Sequence, residues 1–274
     1  MRAATDTLVP DKKSGIITTF VVMSILTYGG LMRIWREGEM ESGVKREAQV
    51  APRLGSQDRP RIWDVPTRAF HWTLAVLVGW EWASAHLGHG FLRYHMWGGY
   101  AILTLLFFRL IWGFVGSRTA RFSHFLCSPR RTWAYIKSWR SGVKPTYGHN
   151  PLGGWAVAGF LVALLVQAGT GLFATDDVLT SGPLNGLVGS NTGDFLTHIH
   201  KLNFDIILAL IATHVTAVVL HRVIGGHDLV RPMITGRAST HTPADAPHLS
   251  FARPWVGLIA LALSGLGTWL ILQI

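Results

Sequence analysis

The chain has 274 residues, of which 49% are hydrophobic and 15% charged, and its mean hydropathy is +0.30. Soluble globular domains carry about 25% charged residues, so this balance excludes an ordinary soluble protein and a disordered one, and points to a membrane protein. The net charge of +10 is typical of basic loops on one side of a bilayer. The single cysteine, Cys127, excludes an intrachain disulfide framework, a cysteine-rich zinc site and a C-x-x-C-H site for covalent haem.

A spanning helix needs about 20 mostly apolar residues, and six such segments are expected. In chain order they are Gly15 to Ile34, about Ala69 to Ala85, His95 to Phe114, Gly153 to Phe173, about Ile199 to Leu220, and about Ala252 to Leu272. The first follows a polar stretch with Lys12 and Lys13 and runs straight into charge without a small-x-small cleavage site, so it reads as a retained anchor. Glu37 to Arg59 mixes both signs of charge with Pro and Gly and reads as a linker; Gly236 to Ser250 separates the last segment in the same way.

Lys and Arg are retained on the cytoplasmic side. Arg33 to Arg68 holds eight, Arg118 to Lys144 seven and Arg222 to Arg253 four, so 19 of the 25 basic residues lie in three alternate loops. Between them, Trp82 to Tyr94 has only Arg93, and Ala174 to His198 has none but carries Asp176, Asp177 and Asp194. This pattern places both termini outside, in a periplasm, and the membrane as a bacterial inner membrane. It also excludes nucleic acid as a partner, because the positive charge is divided among membrane loops.

Ionisable groups inside a bilayer are costly and point to function. His200 and His214 share one segment; 14 residues return to within about 40° of the same face and climb about 21 Å, placing one near each side of the membrane. His198 points away. His71 begins the second segment on the cytoplasmic side and His95 begins the third on the periplasmic side, so the topology pairs His71 with His214 and His95 with His200. Two facing imidazoles can fill both axial positions of a haem iron, leaving one-electron transfer as its chemistry. His86 and His89 compete with His95 at the same depth. Arg109 lies 14 residues after His95 on a similar face, where its guanidinium can pair with a propionate or snorkel to the surface.

Glycines at Gly98-Gly99, Gly153-Gly154 and Gly169-Thr170-Gly171 leave room for a flat macrocycle or for close helix contact. Glu81 is open to two readings, proton relay or interfacial carboxylate. Lys201 and Asp205 form a helix-surface pair, and His221 is a surface residue at the membrane edge.

Several motifs occur in order: Trp63-Asp64-Val65-Pro66-Thr67-Arg68-Ala69-Phe70-His71-Trp72, His95-x-x-x-Gly99-Tyr100, Arg109-Leu110-Ile111-Trp112-Gly113-Phe114-Val115-Gly116, Ala120-Arg121-Phe122, and Gly148-His149-Asn150-Pro151-Leu152-Gly153-Gly154. Together they make the stretch from about Arg61 to Arg237 resemble the bacterial cytochrome b561 family, which includes the b-type cytochrome subunit of nickel-iron hydrogenases. The resemblance implies a four-helix core holding two non-covalent b-type haems, with His71, His95, His200 and His214 as axial ligands, exchanging electrons with quinone.

The expected fold is therefore an all-α integral membrane protein: a four-helix di-haem bundle with an additional transmembrane helix at each end. Its divisions are a periplasmic tail (1–14), an anchor (15–34), a cytoplasmic linker (35–66), the core (67–222), a cytoplasmic link (223–251) and a C-terminal helix (252–274). The extra helices dock other subunits or anchor the chain. The expected function is electron transfer between quinone and a periplasmic redox protein, a c-type cytochrome or a multisubunit oxidoreductase. By analogy with the hydrogenase subunit, quinone would react near the cytoplasmic haem, beside Arg109, His71 and the Trp63 to Arg68 stretch. A self-contained oxidoreductase taking superoxide or a small donor to quinone would keep the same haems. A non-haem metalloenzyme is disfavoured because its clustered histidine boxes do not occur, and a transporter because no repeated halves are visible.

Overall fold

The computed structural model describes residues 59–138, 148–176, 180–223, 228–238 and 249–274. The expected anchor at 15–34, with its flanking tail and most of its linker, lies outside the described residues, as do Asp177 and much of the link before the last helix. The described residues are helical, without a β-sheet, apart from two isolated bridges. The helices are α1 (Val65–His86), α2 (Leu92–Val115), α3 (Phe122–Phe125), α4 (Pro129–Ser138), α5 (Pro151–Gly171), α6 (Ser190–Val223), α7 (Val230–Thr235) and α8 (Pro254–Ile271).

Four of these, α2, α5, α6 and α8, are long and apolar enough to cross a membrane. The chain is thus a multi-pass helical membrane protein. At 22 residues α1 is about 33 Å long, enough to span. Arg68, His71 and Glu81 make it more polar than the other four, and it packs lengthwise against α2.

Helix starts follow from local chemistry. Asp64 caps α1 by accepting from the Thr67 amide (2.7 Å), with Pro66 in the first turn, and Asn150 caps α5 by accepting from the Gly153 amide (2.7 Å), with Pro151 at its first position. Each cap satisfies an orphan amide, and each proline removes one. The start of α6 differs from the expected one near Ile199. The helix begins at Ser190, because Ser190, Asn191 and Thr192 are start-type residues and the Thr192 and Gly193 amides already donate to the Gly189 carbonyl. Asp194 and His198 therefore sit on a helix, not in a loop.

The core lies between α2, α5 and α6, where Leu106, Ile102, Leu161, Leu164 and Ile207 are buried together. A second cluster joins Phe108, Trp112 and Ala120 to Ala260 of α8. The last helix is thus not a separate anchor. Gly257, Ala260, Ser264 and Thr268 form its buried stripe, and Thr104 of α2 donates to Thr268 (2.9 Å). Small residues at this spacing let two helix backbones approach, which is how helices associate in lipid.

The basic end is clasped by backbone. The Ile62 amide donates to the Gly236 carbonyl (2.7 Å), Ala238 to Pro60 (3.0 Å), and Arg118 to Ser250 (3.1 Å), while the Arg68 guanidinium donates to the Ile234 carbonyl. Gly236 has φ +78°, a left-handed conformation, and a Cβ there would meet the Trp63 carbonyl. At the opposite end, Gly182 and Leu184 donate back to Ala174 and Leu172, folding the α5–α6 connection onto the helix tops.

Asp64 ties this end together: its second carboxylate oxygen accepts from the Trp112 indole (3.2 Å), and both residues are buried. Asp64→Ala removes the cap, worth about 1 kcal/mol, and orphans a buried donor, worth about 1–3 kcal/mol. The expected loss is about 2–4 kcal/mol in a denaturation series in detergent. Asp64→Asn keeps one acceptor, enough for the Thr67 cap, but turns its NH2 donor toward the Trp112 indole N–H, so it should recover only the cap's share of the loss.

Candidate haem site

Two histidine pairs face each other at two depths. At the basic end, His71 of α1 and His214 of α6 have ring centroids 6.4 Å apart with planes at 53°. At the opposite end, His95 of α2 and His200 of α6 lie 6.2 Å apart at 80°. Two imidazoles sharing one metal, each bonded at about 2.0 Å and with ring centres about 1.1 Å behind the bonding nitrogens, have centroids about 6.2 Å apart. Both separations fit a shared iron. Among the described residues no group of three or more His, Cys, Asp or Glu is placed to hold a bare metal ion. Pairs suit a haem, which brings its own four equatorial nitrogens and asks the protein for two axial ones.

Side chains behind the rings fix their orientation. His200 Nδ1 is 3.0 Å from the Gln167 carbonyl and 3.3 Å from Thr170 Oγ1, and a Cβ at Gly171 would press on the ring. Gln167 is held in turn by Asn203, whose amide donates to Gln167 Oε1 (2.7 Å) and to the Ala163 carbonyl (2.9 Å). His95 Nδ1 is 2.9 Å from Glu81 Oε2, with the Glu81 carbonyl at 3.2 Å and Ser84 Oγ at 3.3 Å. Metal-bound histidines usually have such a partner on the second nitrogen. His71 Nδ1 is sealed and without a hydrogen-bond partner among the described residues.

The competing histidines are placed differently. His86 is exposed, its Nδ1 against the Trp82 carbonyl of its own helix (2.7 Å) and its ring against Trp82. The His89 side chain lies outside the described residues. His198 is exposed.

Arg109 is buried at 3% exposure, so it does not snorkel. Its guanidinium lies over the rings of Phe122 (5.1 Å) and Phe125 (5.5 Å), Nη1 has no hydrogen-bond partner among the described residues, and Asp64 is the nearby countercharge. Phe125 also touches the His149 ring (5.1 Å), which stands edge-on to Trp63 (4.7 Å). Burial, then the Arg109 charge, then His214 and His71, push His149 down to about 3, so it is neutral near pH 7. Its Nδ1 is also sealed and unpartnered among the described residues. Two buried polar groups lacking partners beside the His71–His214 pair form a cradle suited to an anion such as a haem propionate.

Of these residues, His149, Ser84, Gln167, Thr170 and Asn203 have no role assigned from sequence. Gln167, Thr170 and Asn203 carry a usable signal, being polar residues in the middle of apolar spans.

No curated protein and no solved structure matches the chain. A family model described as prokaryotic cytochrome b561 matches residues 62–236, a stretch containing both histidine pairs, Arg109 and His149. Covering well over half of the sequence, that match establishes that the chain belongs to the prokaryotic cytochrome b561 family, whose members are b-type haem electron-transfer proteins of the membrane.

Proposed function

We propose that this protein is an inner-membrane di-haem cytochrome b that carries electrons between a periplasmic redox partner and the quinone pool. The observation that supports this best is the two pairs of opposed imidazoles, 6.4 Å and 6.2 Å apart, whose α6 members are 14 residues apart. His71 and His214 would hold the cytoplasmic haem, and His95 and His200 the periplasmic one. When bound, the haems would supply reversible one-electron transfer. The chain's own residues orient the imidazoles through Gln167, Thr170, Ser84 and Glu81, and Arg109 with His149 receives propionate charge.

Orientation rests on the basic loops. Helix α4 adds to this, since Arg130, Arg131 and Lys137 share a short amphipathic helix with the exposed Trp133 and Ile136, a composition suited to anionic lipid headgroups at the cytoplasmic surface. Quinone is assigned to the cytoplasmic haem, and a basic c-type cytochrome or other redox subunit to the acidic opposite end. The division into a 67–222 core, an anchor at 15–34 and a C-terminal transmembrane helix at 252–274 belongs to the same proposal.

The test is a reduced-minus-oxidised spectrum with haem quantification on the purified protein. Two low-spin b-type haems per chain are expected, reoxidised by a soluble quinone analogue. A protein with no haem overturns the reading.

A further inference from the structure

The histidines of the two pairs are not equivalent in what stands behind them, even within one pair. His200 Nδ1 meets neutral acceptors, the Gln167 carbonyl (3.0 Å) and the Thr170 hydroxyl (3.3 Å). His95 Nδ1 meets a carboxylate, Glu81 Oε2, at 2.9 Å.

The sequence builds this contact from two helices. Glu81 lies near the end of α1 and His95 near the start of α2, so the turn between them brings both to the same depth. Gly98, one turn after His95, is buried, and a Cβ there would overlap Glu81 Oε1. Gly98 thus clears the space the carboxylate occupies. Ser84, fully buried, donates to the Glu81 carbonyl (3.2 Å), which itself lies 3.2 Å from His95 Nδ1. The Glu81 side chain is only 11% exposed, and Oε1 is sealed without a hydrogen-bond partner among the described residues. Its negative charge is therefore screened little by water and is directed at the His95 ring.

A carboxylate on the second nitrogen makes an imidazole more basic and a stronger donor to the metal. The oxidised iron carries one more positive charge than the reduced iron, so a fixed negative charge behind one ligand favours the oxidised state at that site. The other pair lacks this setting. His71 Nδ1 has no partner among the described residues, so no carboxylate stands behind that ring, and the buried Arg109 guanidinium nearby, which a propionate would neutralise, adds no negative charge there.

Building on the di-haem reading above, we propose that Glu81 is a positioning residue that acts through His95 to make the periplasmic haem the lower-potential one, so that electrons run inward from the periplasmic to the cytoplasmic site. The protein then delivers electrons to quinone rather than drawing them from it. No bond is made or broken: each electron lost by one iron is gained by the other.

The test is a spectroelectrochemical titration of the purified holoprotein in nanodiscs, wild type against E81Q and E81D. The wild type should show two components, and His71→Ala, which retains only the His95–His200 site, should keep the lower one. In E81Q the lower component should rise until the electron-sharing equilibrium between the haems changes about tenfold, ~59 mV for one electron. The upper component should stay in place, and E81D, which keeps the charge, should restore most of the difference. Two haems with unmoved potentials in E81Q, or movement of the upper component alone, overturn the proposal and leave the di-haem reading intact. A wild type without haem defeats that reading itself. If E81Q loses a haem, the wild type decides by near-infrared magnetic circular dichroism. One ferric haem should show the higher-energy charge-transfer band of a strongly hydrogen-bonded imidazole, and two identical bands overturn the proposal.

Discussion

Replacing His200 by alanine is expected to halve the bis-histidine haem content while leaving one intact low-spin b-type signal, and His71→Ala should do the same at the other site. The independence follows from geometry. The His95–His200 and His71–His214 pairs are opposed within themselves, and their members on α6 are 14 residues, or about 21 Å, apart. The double substitution His200→Ala with His214→Ala removes one member of each pair and should abolish bis-histidine haem altogether. His86→Ala should leave both sites, since that side chain is exposed and turned back onto its own helix. Pyridine haemochrome quantification with low-temperature electron paramagnetic resonance reads these four variants and His95→Ala. Two low-spin haems surviving in His95→Ala would reassign that ligand.

The second large effect is expected from one added methyl group. A Cβ at Gly154 would overlap the backbone carbonyl of Phe125, which cannot swing aside as the tip of a flexible side chain can. Overpacking costs about 1–3 kcal/mol, and a clash with backbone belongs at the upper end, so Gly154→Ala should lose about 3 kcal/mol. The damage should also be local, because the Phe125 ring is the surface on which both Arg109 and His149 rest. Haem loss from the His71–His214 site ahead of the other, followed by difference spectra during a thermal ramp in detergent, is the specific signature. Gly99→Ala and Gly159→Ala meet nothing within 4 Å and serve as controls. Equal stability of Gly154→Ala and these controls would show that the α5 start does not bear on Phe125.

What was legible in the sequence was whatever repeats with the helix period or stands out against lipid. The four histidines qualified on both counts, being ionisable and spaced to share faces and depths. Asn203, Gln167 and Thr170 qualified on the second count alone, and only the structure shows that they buttress His200. The contact between Glu81 and His95 depends on how α1 and α2 are rotated against each other, which no single-helix pattern encodes. His149 follows a connection without periodicity, and its burial arises from Trp63 and Phe125, which are far away along the chain. The stripe of Gly257, Ala260, Ser264 and Thr268 is visible in sequence, but its partner is not, so α8 read as an appendage when it is a wall of the bundle.

At 34 residues, or about 51 Å, α6 is far longer than a bilayer requires, and it alone contributes to both pairs. It works as a common spindle. As one continuous helix it carries both His200 and His214, so a displacement of the helix as a rigid rod would shift one member of each pair together. Separate adjustment of either pair comes from the facing helix, through α1 for one and α2 for the other. A change confined to one pair is therefore expected from α1 or α2, or from replacing a single histidine, whereas a shift of α6 as a whole moves one member of each pair.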